Sequence, residues 1–191
     1  SISNIGDAID YEIEVVKADK AVPSYSTAIT ANEDYLKLNK ANEGDKNLYA
    51  IIVNEHNCTV TVYTYGGDNY NKPVRTMLCS TSKSPKTIKN DKDSFLYYEV
   101  ADKAEWVYLN DSKYCRYATY IGEDLMFQST PYTDEDAGAL IADTYNKLGS
   151  AVTAKNIMLS AADAKWIYDN CNEGTLVRIV NADESTNHTP L

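Results

Sequence analysis

The stretch LGSAVTAKNIMLSAADAKWIYDNCNEGTLVRI (residues 148–179) says most about how this chain folds. Ser160-Ala161-Ala162-Asp163 reads as a helix start. A serine hydroxyl there accepts a hydrogen bond from an amide of the first turn, and an aspartate at the third position completes the cap. The helix is predicted to run through Trp166 and Tyr168 to about Cys171, with Gly174 ending the connection. Thr175 to Val180 is β-branched and apolar, which predicts a closing strand.

Working back from this segment, short strands dominate. Leu48 to Val53 is a continuous apolar run, as in a buried strand, and Asn54 to Asn57 is turn chemistry. Thr59 to Tyr65 completes a hairpin, and Gly66 to Asn69 ends it. Further strands are predicted at Pro73 to Ser80, Phe95 to Val100, Trp106 to Leu109, Tyr114 to Ile121 and Asp124 to Phe127. Lys83 to Lys92 is a lysine-rich loop. Thr133 to Leu148, acidic early, predicts a helix. Many short strands with two helices give a mainly β domain of the α+β class. Residues 1–46 differ: Ile9, Tyr11, Ile13 and Val15 alternate as a strand, Ala31 to Leu38 suits a short helix, and Asn39 to Asp45 reads as a linker.

Composition narrows the function classes. A formal net charge of -10 with scattered basic residues argues against a nucleic-acid partner. No run approaches the roughly 18 to 20 apolar residues of a membrane span. The two histidines, His56 and His188, lie far apart, so no metal site is expected. Cys58, Cys79, Cys115 and Cys171 form no C-x-x-C pair, and they suit either two disulfides or four buried thiols. The 16 tyrosines against 2 phenylalanines suit half-buried strands first and a carbohydrate-contacting surface second.

Three segments carry a family resemblance. Leu48 to Ser80, ending in PVRTMLCS, resembles the opening strands of the YkuD-type L,D-transpeptidase domain. YATYIGEDLMFQSTPYT (117–133) resembles the segment that supplies that family's first active-site histidine, and residues 148–179 resemble its signature segment and following helix. The resemblance spans roughly 47–181 and implies a β-sandwich, with 1–46 as an N-terminal strand or linker segment and 182–191 as a C-terminal tail.

The family's chemistry needs a thiolate nucleophile, a histidine to take its proton and donors for an oxyanion. Its pattern is Ser/Thr-His-Gly-Cys, an apolar residue, then Arg. Here those positions read Thr153, Ala154, Lys155, Asn156, Ile157 and Met158, and the earlier histidine, just before Ser129, reads Gln128. Ser84-Pro85-Lys86-Thr87 stands where the family has Thr-Pro-x-Gly. The resemblance therefore implies a pseudoenzyme with no catalytic residue and no cofactor. Gln128, Ser129, Thr153, Ala154, Lys155, Asn156 and Met158 mark its altered site. The partner implied is a peptidoglycan stem peptide or a cell-envelope protein, met outside the cell at the wall. Two alternatives stay open: an active transpeptidase or carboxypeptidase with a displaced nucleophile, and a cell-surface interaction module. Export favours oxidised thiols and, through the framework, suggests pairing Cys79 with Cys171 and Cys58 with Cys115.

Overall fold

The computed structural model describes residues 48–65, 70–89, 91, 95–123 and 125–181. The strand, helix and linker expected within 1–46 and the tail at 182–191 lie outside the described residues. In chain order the elements are β1 (Tyr49–Asn54), β2 (Thr59–Tyr65), β3 (Tyr70–Ser82), β4 (Leu96–Tyr108), β5 (Tyr114–Ile121), β6 (Leu125–Ser129), α1 (Ala142–Tyr145), β7 (Ala151–Thr153), β8 (Ile157–Leu159), α2 (Ala161–Asn170) and β9 (Leu176–Val180). The chain is thus mainly β with two short helices.

The strands run β2-β1-β9-β4-β5-β6-β8-β3-β7, and β2 also pairs with β3, so the sheet closes on itself. Two strands of 13 residues each make the closure. The first part of β4 (Leu96–Glu99) pairs with β9, and the rest (Val100–Tyr108) pairs with β5. A register shift between Val100 and Asp102 marks the change of partner, as a bulge does when a strand bends between sheets. β3 likewise pairs with β2 up to Leu78 and with β8 at Cys79 and Ser80. Pro73, which has no amide to donate, sits beside the shift between Val62 and Tyr63, where a strand tolerates proline.

The main core lies inside this closed sandwich. Ile51, Val53, Val60, Val62, Met77, Phe127, Leu159 and Val177 are packed there at 1% exposure or less. α2 contributes Ala164 and Ile167, one helical turn apart on one face. Ala50, Ile52, Tyr63, Tyr70, Leu176 and Val180 form a second buried cluster. β1 is therefore buried on both faces, and this is why its sequence is a continuous apolar run rather than an alternating one. The helix cap forms as its sequence predicts: Ser160 Oγ accepts from the Asp163 amide at 3.1 Å and donates to Asp163 Oδ2 at 2.8 Å.

Two expectations are corrected, and two short strands are added. The helix expected over 133–148 is reduced to α1, because the acidic residues before it bind their own backbone instead. Asp134 accepts from the Glu135 amide at 2.8 Å and Asp136 from the Gly138 amide at 2.7 Å, which favours turns over helix. The separate strands expected at 95–100 and 106–109 are one strand, since Asp102, Lys103 and Ala104 keep the ladder to β5. β7 and β8, three residues each, lie in a segment whose sequence shows no strand periodicity.

Candidate functional site

Parallel pairing of β6 and β8 sets Gln128 opposite Met158 and Ser129 opposite Leu159. Asn156 immediately precedes β8, and its side chain reaches back across the sheet. Asn156 Nδ2 donates to Gln128 Oε1 at 2.8 Å, and Gln128 Nε2 donates to the Ser129 carbonyl at 3.4 Å. Thr153 Oγ1 donates to the Asn156 carbonyl at 2.7 Å, holding the turn that presents Asn156. The pair can exchange hydrogen bonds with a ligand, but a carboxamide carries no proton to transfer near neutral pH. Asn156 Oδ1 is buried and has no donor among the described residues. A buried acceptor left in this state costs about 1–3 kcal/mol.

The remaining expected site residues divide. Ile157 and Leu159 point into the main core, so strand alternation turns Met158 to the other face, where it is 6% exposed. Ser129 is wholly buried and committed to the framework: its Oγ accepts from the Arg116 amide and donates to the Thr130 carbonyl, both at 2.8 Å. Ala154 and Lys155 are exposed and line a cavity of about 560 Å³. Its apolar wall comes from the ends of core strands, including Val53, Leu96, Leu125 and Ile179, while Glu55, Lys86 and Glu123 add charge.

Glu55 is the residue that sequence reading missed, because it sits in ordinary turn chemistry. Burial pushes its carboxyl above the usual carboxylate range, against the opposing effect of hydrogen bonds from Thr87. The Thr87 hydroxyl donates to Glu55 Oε2, and Asn181 Nδ2 donates to the Thr87 carbonyl at 3.3 Å. A half-buried carboxylate in a mostly apolar hollow is a strong local acceptor for a ligand donor.

All four cysteines are buried free thiols. In this reduced state neither pairing suggested by the resemblance, Cys79 with Cys171 or Cys58 with Cys115, is present. Cys115 packs with Ala118 and Met126 in a cluster separate from the one that holds Cys58. Burial pushes the Cys115 and Cys171 thiols up to about 12 and raises Cys79 well above its ordinary value. Such thiols hold little thiolate near neutral pH. Among the described residues no group of three or more His, Cys, Asp or Glu could hold a metal ion, and no helix is long and apolar enough to cross a membrane.

No family model matches the sequence, and no curated protein is similar to it at a significant level. Solved structures are similar in fold. An LD transpeptidase, LdtMt1, in complex with imipenem matches with a TM-score of 0.50 and 18% identity, over 70% of this chain and 59% of its own. A fused Zn-dependent amidase/peptidase/peptidoglycan-binding domain-containing protein from Clostridium acetobutylicum matches with a TM-score of 0.47 and 20% identity, over 84% of this chain and 65% of its own. The chain thus spans less than two thirds of either structure. The match to the imipenem-bound enzyme gives this chain, with its closed sandwich, the fold of the L,D-transpeptidase domains.

Proposed function

We propose that this chain is a non-catalytic L,D-transpeptidase-like domain that is exported to the cell wall and holds a peptidoglycan stem peptide without cutting it. The observation that carries this reading is the amide-to-amide bond between Asn156 and Gln128. It stands at the two positions where the family resemblance expects a thiolate and a histidine. A carboxamide is neither a practical nucleophile nor a general base. Ala154 offers nothing to accept a proton, and the buried cysteine thiols do not favour a displaced nucleophile. The domain is proposed to span 47–181, flanked by 1–46 and 182–191.

A peptide has complementary groups. The apolar wall of the neighbouring cavity takes a side chain, and Lys86 and Lys155 on its lining favour a carboxylate. Exposed ion pairs contribute about 0–1 kcal/mol each, so the apolar wall supplies most of the affinity.

Two measurements test the reading. Incubation with a carbapenem, followed by intact-mass analysis, is expected to show no adduct. Titration with a tetrapeptide muropeptide is expected to shift the amide resonances of Gln128, Lys155 and Asn156 with no product formed. A covalent adduct would overturn the non-catalytic reading, and resonances that do not move would overturn the binding reading.

A further inference from the structure

We propose that Cys58 and Cys79 are partners in a disulfide that forms while this chain folds in an oxidising compartment. The antiparallel register of β2 and β3 sets Thr59 opposite Leu78. The next residues outward, Cys58 and Cys79, therefore face each other across the ladder, and the Cys79 amide donates to the Cys58 carbonyl at 2.8 Å. Opposed residues joined by such a backbone hydrogen bond have Cα atoms about 5.5 Å apart, within the span a disulfide bridges. Both side chains belong to one core cluster, Cys79 from β3 and Cys58 from the turn just before β2.

Two further features fit. Cys58 has a φ of +54°, a left-handed conformation unusual for a residue with a Cβ, and a bridge would hold it there covalently. In the reduced state Cys58 Sγ lies 3.6 Å from Thr81 Oγ1 and 3.8 Å from the Glu55 carbonyl. Thr81 and Glu55 both line the cavity. Forming the bridge turns that sulfur from these groups toward Cys79, so the redox state of the pair reaches the cavity wall. The inference stands whether or not the cavity holds a peptide.

The chemistry balances with glutathione disulfide as the oxidant. One cysteine thiolate attacks it, forming a mixed disulfide and releasing one glutathione thiolate. The second cysteine thiolate then displaces the other glutathione. The pair loses two protons and two electrons, and the oxidant becomes two thiols. Burial keeps the Cys79 thiol protonated in the folded chain, with Cys58, Glu55 and Asp163 adding to the effect. Exchange is therefore slow after folding and fast before it. The same burial shields the finished bridge from reductants.

The test refolds the denatured, reduced chain in a mixture of reduced and oxidised glutathione. Remaining thiols are then blocked with N-ethylmaleimide, and peptides are mapped without reduction. The expected result is one cross-linked peptide pair joining Cys58 to Cys79, with Cys115 and Cys171 blocked. The bridge should survive reductant in native buffer and open in denaturant. C58S and C79S should abolish the cross-link, while C115S and C171S should retain it. Four blocked cysteines in the wild-type chain, or Cys79 joined to Cys171, would overturn the proposal. The wild-type map decides the matter even if a variant fails to fold.

Discussion

Arg75 Nη2 lies 2.7 Å from Asp163 Oδ1, and this ion pair joins the middle of β3 to the first turn of α2. The guanidinium Nε also reaches the same oxygen at 3.2 Å, and the group lies 5.7 Å from the Trp166 ring centroid. The side chains of Arg75 and Asp163 are 6% and 16% exposed, so the pair is largely out of water. Asp163→Ala is expected to lower stability by about 3–5 kcal/mol, because it takes the carboxylate from a buried guanidinium and removes part of the cap. Urea denaturation checks this, and a loss under about 1 kcal/mol would show that the pair is solvated in solution.

The Gln128–Asn156 bond makes a second prediction. Gln128→Ala leaves the Asn156 amide without its partner and should cost about 1–3 kcal/mol by urea denaturation. For chemistry, Asn156→Cys alone should give no carbapenem adduct, because no base stands beside the new thiol. Gln128→His, Ala154→His and Asn156→Cys together should give one, seen as added mass on the peptide carrying residue 156.

Phe127 is wholly buried in the main core, where β6 meets β5 and β8. Phe127→Ala should destabilise the fold by about 3–5 kcal/mol, through lost burial and the cavity left behind. Thermal unfolding with a matched urea series measures it.

The Glu55 carboxyl is raised in the folded state, chiefly by burial. The folded chain therefore binds this proton more tightly than the unfolded chain does. Its contribution to stability is fully present below the ordinary value of 4.5 and is lost as pH rises through the folded value. Glu55→Gln should unfold at higher urea than the wild type at neutral pH, with the difference closing below that ordinary value. A constant difference across the pH range would show that Glu55 does not titrate differently on folding.

Much of the framework could be read from residue types alone. The apolar run from Leu48 to Val53 predicts a buried strand, and Ser160 with Asp163 predicts the start of α2, because each signal is local. Three features escaped, one through a local competition and two through partners distant in sequence. Asp134 and Asp136 have side chains that compete with the helix for backbone amides, and composition does not say which wins. Ala101 to Glu105, with three charged residues, reads as a gap but continues β4, because β5 supplies ladder partners for Asp102, Lys103 and Ala104. Glu55 gains its altered acidity from burial in the folded chain, which outweighs the opposing hydrogen bonds of Thr87, 32 residues away. For the site, the segments around Gln128 and Asn156 were legible through the family resemblance. Their mutual hydrogen bond was not, since it depends on the parallel pairing of β6 with β8.

The closed ring of strands also bears on how copies of this chain behave in a crowded solution. A sheet that ends in an open strand offers unpaired amides and carbonyls to any neighbour, and that is a common route to aggregation. Here β2 returns to β3, so the last long strand finds its partner within the same chain. Beyond β3 the strand order ends in β7, only three residues long. A change that parted β2 from β3 would therefore do more than loosen one hairpin. It would uncover two long templates at once, and turbidity would be expected to rise before the core had melted.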